Sequence, residues 1–500
     1  MTGPDLPTTG GAGRPEPETM TARDRRTVVL LLVSTFVVIL NETVMGVALP
    51  HLMSDLSITA STAQWVTTAF MLTMAVVIPI TGFVIQRITT RATFLAAMSL
   101  FSLGTLVCAL APGFAVLLLG RVVQASGTAI MLPLLMTTVM TVTPPASRGR
   151  TMGNISVVIS VAPALGPTLS GLVLSVLDWR WLFGLVLPVA LGALALGAAR
   201  LQNLTEPRHA RVDVVSVVLS AIAFGGLVYG LSRFGEASGE AGGLVGAWTP
   251  VVVGVVGLAL FVARQRRLQR SDAALLDLRT FASPTFSVAV GLMAVSMMAL
   301  FGTIILLPIY TQGVLGLDAL GTGLLLLPGG LLMGLVAPTV GRIYDRSGPR
   351  VLLVPGTVVV SAAAWTLTTF DAATSSWLVL GTHVLLSAGL ALMFTPLFTA
   401  SLGSLRPQLY SHGSAVVGTV QQVAGAAGTA LFVTVMTAQG AVLTEQGADV
   451  LEATAGGVHA AFVVGAVISL LAIPAAFAVR ATPAANTVDD HPRDMVDSVA

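Results

Sequence analysis

Within "LNETVMGVALP", residues 40 to 50, Asn41 and Glu42 stand near the far end of an apolar stretch, "TVVLLLVSTFVVIL", that begins at Thr27. Arg121 is placed in the same way within "LLLGRVVQASGTA". A carboxyl caught between desolvation and a neighbouring guanidinium can gain and lose a proton, so the chemistry open to this pair is proton exchange. Their depths match: Glu42 lies about six residues before the outer end of its run and Arg121 about eight after the start of its own, roughly 9–12 Å below the surface at about 1.5 Å per residue. Ser34, Thr35, Asn41, Glu42 and Gly46 recur at spacings that form one polar stripe on an apolar helix. Gln124 follows Arg121 by one turn on a comparable face. Two roles are open to the pair, a proton-coupling site or a permanent tie between helices.

The elements that hold these residues follow from composition. Of 500 residues, 55% are apolar and 10% charged, with mean hydropathy +0.89; soluble domains carry roughly a quarter charged residues. An all-α integral membrane protein is expected. A hydrocarbon core of about 30 Å needs about 20 apolar residues per helix. Runs of that length are read near residues 27–49, 62–85, 92–112, 114–138, 151–174, 181–200, 212–232, 246–264, 285–309, 319–340, 351–370, 378–402, 411–437 and 457–479.

All 25 basic residues are arginine. With the N-terminus cytoplasmic, Arg180 and Arg233 face outside, Arg121 lies in a span, and the rest stay inside, so both termini are expected in the cytoplasm of a plasma-membrane protein. The six tryptophans fall near outer ends, as interfacial anchors do. Residues 1–26 and 481–500 read as disordered cytoplasmic tails. The net charge of +2 gives no reason to expect a nucleic-acid partner. Cys108 is the only cysteine, which excludes an intramolecular disulfide.

A repeat organises the chain. "GFVIQRITTR" after the second span and "GRIYDRSGPR" after the tenth align Gly82, Arg87 and Arg91 with Gly341, Arg346 and Arg350; 82 and 341 differ by 259. An eight-helix offset preserves orientation, as in two parallel six-helix bundles separated by an inserted pair. The expected division is a first bundle at 27–200, inserted helices and linkers at 201–284, and a second bundle at 285–480, with a substrate path between the bundles.

A phosphate-binding loop of the GxxxxGK[ST] kind needs a lysine, and none is present. No HExxH, GxSxG or clustered Cys/His motif appears either, so no enzyme activity, metal site or cofactor is expected and energy must come from a gradient. "VAPALGPTLSGLVL" sets Pro163, Gly166, Pro167 and Gly171 inside the fifth span, where they bend a helix and let it pack closely, or form an ordinary proline kink.

Taken in order, "LNETVMGVALP", "GFVIQRITTR", "LLLGRVVQASGTA", "APALGPTLSG", "WRWLF", "LLPIYTQGVLG", "GLLLLPGG" and "GRIYDRSGPR" resemble the 14-span drug:proton antiporters of the major facilitator superfamily (EmrB/QacA-like) over roughly residues 27–480. The N-E-T form of the first motif resembles the lincomycin-resistance (LmrB) branch. The resemblance implies that Arg121 is the fourth-helix arginine of proton coupling, beside Glu42 and Asn41. It implies that Pro163, Gly166, Pro167 and Gly171 form the antiporter motif, and that Asp345 and Arg346 belong to a cytoplasmic gating loop with Gly82, Arg87 and Gly341. Gln86 replaces the acid usual in the first gating loop, and Asn41 stands where many relatives carry an aspartate. Gln124, Met131, Tyr310, His383, Gln421 and Gln422 are candidates for a substrate cavity. The expected function is proton-coupled export of amphipathic drugs or secondary metabolites by a monomer in the lipid bilayer. The alternatives are a dedicated carrier of one endogenous solute, or a membrane receptor or scaffold that does not transport.

Overall fold

A computed structural model describes residues 20–203, 213–237 and 243–479. Fourteen helical segments are long and apolar enough to cross a membrane, one for each expected span. In lipid every backbone N–H and C=O must be paired within the protein, which a continuous helix accomplishes alone. Large apolar side chains such as Leu172, Leu335 and Leu471 remain exposed on the periphery, as a lipid-facing surface requires.

The first bundle comprises α1 (Ala22–Asp55), α2 (Ala60–Arg87), α3 (Thr90–Ala109), α4 (Phe114–Val142), α5 (Arg148–Leu174) and a sixth span broken into α6 (Trp181–Gly184) and α7 (Val186–Arg200). Helix α1 starts earlier than expected. Thr21 caps it by accepting from the Asp24 N–H at 3.1 Å, so Ala22–Arg26 are helical, not tail. The rest of that tail, and residues 481–500, lie outside the described residues.

The next two spans comprise α8 (Val214–Ser220), a π-helical turn (Ala221–Gly225), α9 (Gly226–Ala237) and α10 (Gly243–Leu268), the pair expected as an insertion. Gly226, Gly230, Gly254 and Gly257 bring its two arms backbone to backbone. Its widened turn sets Gly225 against Leu72 and Val76 of α2, and α9 also packs on a helix of the second bundle, α15 (Tyr410–Glu445). The basic linker after α10 is ordered by Gln265, which is fully buried. Its amide donates to Ser216 Oγ at 2.8 Å and accepts from the Leu275 and Leu276 N–H groups at 2.8 and 3.2 Å. Arg264 grips Asp213 through two hydrogen bonds of 2.6 and 2.7 Å, first holding the Asp213 carboxyl below the usual range and outweighing its desolvation.

The second bundle adds α11 (Pro284–Gly313), α12 (Ala319–Ser347), α13 (Arg350–Leu367), α14 (Ser376–Gly403) and α16 (Val450–Ala478) to α15. The repeat is visible in the packing. A side chain on Gly127 of α4 would strike Ala97 O and Phe101 N of α3, whereas one on Gly389 of α14 would approach Gly356 O and Val360 N of α13. Positions 97 and 356, like 101 and 360, differ by 259, the offset of the two loop motifs.

Candidate functional site

Arg121 is completely buried in α4, which demands that its charge be met by protein groups. Its Nη1 donates to Gln124 Oε1 at 2.6 Å and, more weakly, to Asn41 Oδ1 at 3.5 Å, while Nε reaches Val66 O at 3.5 Å. The guanidinium lies 4.0 Å from the centre of the Phe70 ring, a favourable cation–π placement. Gln124 passes the network on by donating to Thr105 Oγ1 at 2.7 Å, and Thr105 donates to Phe101 O at 2.6 Å. Close approach of α3 and α4 makes this reach possible, because a Cβ on Gly104 would overlap the Gln124 backbone.

Two donors in this cluster remain buried without a partner, Arg121 Nη2 and Asn41 Nδ2. Glu42 is the complement. It is half-buried on α1, and among the described residues it forms neither a hydrogen bond nor an ion pair within 4 Å. Asn41, not Glu42, touches Arg121 in this conformation, so the permanent Glu42–Arg121 tie is absent from it. Phe70 and Val66 escaped the reading of the sequence, since neither residue type announces a guanidinium partner.

A second constellation lies at the arginine-rich face, where the bundles meet. Asp345, near the end of α12, accepts from the Gly149 and Arg150 N–H groups at 2.6 and 2.8 Å and so caps the start of α5 across the interface. Gly341 and Gly149 permit this approach, because a Cβ on Gly341 would overlap Gly149 O. Further along the seam Gly153 meets Ala337, Val161 meets Gly334 and Ala164 meets Gly330. On the other flank, Gln86 of α2 donates to Gln408 O at 2.9 Å and Ser411 Oγ at 2.8 Å, and Gly82 fits against Ser411 and Ala415. The missing acid at position 86 is thus replaced by a neutral amide latch. Thr395 donates to Ser156 at 2.8 Å and Thr137 to Ser414 at 3.2 Å, adding α5–α14 and α4–α15 contacts. Arg87 lies 4.4 Å from the Phe83 ring centre with Nε and Nη2 buried and unpartnered, and Arg346 is exposed.

Helix α5 runs unbroken through the four breaker positions. Gly166 faces Thr43 of α1, whereas Gly171 has no neighbouring atom within 4 Å beyond its own segment. The cavity candidates divide. Gln421 and Gln422 are half-buried on α15, and Gln422 donates to Met74 Sδ of α2 at 3.5 Å, which puts Gln422 between the bundles. Gln124, Met131 and Tyr310 are instead enclosed within one bundle. Gln124 is consumed by the arginine network, Met131 sits in the apolar core, and Tyr310 stacks on Phe370 and donates to Asp371 O at 2.6 Å. His383 is buried in the second bundle with Nε2 3.1 Å from Leu326 O.

Comparison with known proteins agrees with this architecture. The Major Facilitator Superfamily model matches residues 31–429. The chain is 41% identical over 452 residues to the uncharacterized MFS-type transporter YcnB of Bacillus subtilis (strain 168), covering 90% of this chain and 94% of that one. It is 38% identical over 459 residues to the lincomycin resistance protein LmrB of the same organism, covering 89% and 94%. Among solved structures, the human organic anion transporter MFSD10 (TETRAN) superposes with a TM-score of 0.62 at 15% identity, over 91% of this chain and all of that one, a likeness of fold. With the matched family model, the close full-length relatives and the two latched bundles together, the chain belongs to the Major Facilitator Superfamily of membrane transporters.

Proposed function

We propose that this protein is a proton-coupled antiporter that exports amphipathic drugs or secondary metabolites across the plasma membrane by alternating access, with both termini cytoplasmic. Similarity to the lincomycin resistance protein supports the substrate class, and the arginine distribution supports the orientation. The observation that carries the coupling is a Glu42 carboxyl with no hydrogen bond or ion pair among the described residues, next in sequence to the Asn41 that reaches Arg121, whose Nη2 also lacks a partner.

With the latch at the arginine-rich face closed, Asn41 and Gln124 hold Arg121 and leave Glu42 free to carry a proton. When that proton departs, the carboxylate has a ready acceptor's role at Arg121 Nη2, which changes how α1 sits against α4. Substrate occupies the cleft between the bundles, where Gln421, Gln422 and Met74 offer hydrogen bonds and a deformable apolar wall. Opening and closing of the latch as the bundles rock then exposes the cleft to alternate sides.

The deciding experiment is substrate-induced proton movement in proteoliposomes, wild type beside Glu42→Gln. The variant should lose gradient-driven export and proton flux yet keep substrate binding and counterflow. Full active export by Glu42→Gln would refute the coupling role.

A further inference from the structure

The arginines around the end of α10 fall into two sets. Arg264 is held by Asp213, and Arg279 by Asp272 and Asp277. Arg266, Arg267 and Arg270 are exposed and form no hydrogen bond or ion pair among the described residues. We propose that these three bind the phosphate-bearing headgroup of an anionic lipid in the leaflet at the arginine-rich face, and so anchor the hairpin of α8 to α10 in the bilayer.

Their depth follows from the helix face on which they end. Val252, Val256, Leu260, Ala263 and Arg267 recur at spacings of four, four, three and four, all exposed, and form one stripe along α10. The opposite face is covered. Gly254 meets Leu227 of α9, Gly257 meets Ile222 of the π-helical turn, and Phe261 packs edge-on against Phe224. The exposed stripe therefore faces acyl chains. Arg266 flanks Arg267, and Arg270 follows in a single 3-10 turn (Gln269–Ser271), so the charges gather where the apolar stripe stops. Trp248, exposed near the other end of α10, marks the far interface. Positions 248 and 267 differ by 19, about 29 Å at about 1.5 Å per residue, which matches a hydrocarbon core of about 30 Å. The arginines stand at the level of the lipid phosphates.

The backbone beneath them is fixed. Gln265 accepts from the Leu275 and Leu276 N–H groups, both of those leucines are buried, and Gln269 donates to Asp277 Oδ1 at 3.1 Å, which folds the linker back on the helix end. Guanidinium groups carried on such a turn are already gathered before a ligand arrives, and each presents a planar fork that suits two phosphate oxygens. Asp272 and Asp277, the acids of the linker, are engaged by Arg279, so the charge of the patch is left for an outside partner. A zwitterionic headgroup offers a phosphate too, but its ammonium is repelled by the same arginines. Net negative lipid is therefore preferred. Because the hairpin packs on both α2 and α15, a headgroup held here sets its depth against both bundles without entering the α5–α12 seam.

The test uses the full-length protein in phosphatidylcholine vesicles. Cys108 is buried, so a fluorophore on Ala263→Cys sits alone on the exposed stripe, one turn from Arg267. Its quenching by phosphatidylglycerol brominated on the acyl chains is compared with quenching by brominated phosphatidylcholine. The anionic lipid should be preferred by about fivefold or more, the effect of one arginine near an anionic surface. Raising salt from about 0.1 to about 1 M, which shortens the screening length from about 10 to about 3 Å, should weaken that preference. Arg266→Gln, Arg267→Gln and Arg270→Gln together should abolish it, whereas Arg23→Gln, Arg25→Gln and Arg26→Gln, which remove three exposed arginines at the start of α1, should leave it intact. Equal quenching by the two lipids with the linker unmutated overturns the proposal, whether or not the triple variants fold. So does a preference that survives the linker variant, or one lost in the α1 variant, since either makes the effect a diffuse surface potential. Displacement by inorganic phosphate at constant ionic strength overturns it as well, by assigning the arginines to a soluble anion.

Discussion

Replacing Asp345 by asparagine tests the latch. The carboxylate accepts two backbone hydrogen bonds, at 2.6 and 2.8 Å, from the first turn of α5. Asparagine keeps one acceptor oxygen and turns an NH2 group toward the other N–H, losing one bond to a charged acceptor, worth about 1.5–3 kcal/mol. It also loses about 0.3–1 kcal/mol of helix-dipole compensation. Because Asp345 is only half-buried, solvent screening reduces the sum, and about 2 kcal/mol is a fair net figure. That changes the ratio of latched to unlatched protein roughly thirty-fold. Spin-label distances between Asn154→Cys and Ile343→Cys at neutral pH should show the separated population rising accordingly, with glutamate substitution producing a smaller effect. Distances identical to wild type would refute the idea that this cap holds the bundles together.

Two other outcomes concern stability. Gln265→Leu should strand the Leu275 and Leu276 N–H groups, at about 1–3 kcal/mol each, and lower the Tm of the detergent-solubilised protein while sparing substrate binding. Asp55 accepts from Trp179 Nε1 at 2.9 Å and from Arg180 at 3.1 Å, and these bonds, the Trp179 one foremost, hold its carboxyl below the usual range. A depressed carboxyl contributes stability that is complete above its unfolded value, about 3.9, and disappears as pH falls through the folded one. Asp55→Asn should therefore lower Tm at pH 7, with the difference from wild type closing only in strong acid.

Most of the architecture was legible because lipid imposes it. Each spanning helix needs its own apolar run, so all fourteen could be read. The polar residues were visible for the same reason, since Glu42 and Arg121 stand out against an apolar background. Their partners were not. Whether Asn41 or Glu42 meets Arg121 depends on a rotation of about 100° per residue on α1, and spacing alone leaves that angle open until α4 is in place. Tyr310 misled for a related reason: its polar tip suggested a cleft, but a buried hydroxyl needs only one acceptor, and Asp371 O supplies it locally. The latch was half legible. Asp345 marked one side, while Gln86 looked like a loss and turned out to hydrogen-bond across the interface in a different way.

The hairpin of α8 to α10 makes the two flanks unequal in the plane of the bilayer. On one, α8, the π-helical turn and α9 lie against α2, and α9 also lies against α15, so any rocking there shears protein against protein over an apolar surface. On the other, α5 and α12 meet without that sheath, and their parting must displace acyl chains. Bilayer thickness and fluidity consequently act on the cycle chiefly through the unsheathed side, giving the surrounding lipid a one-sided grip on the machine.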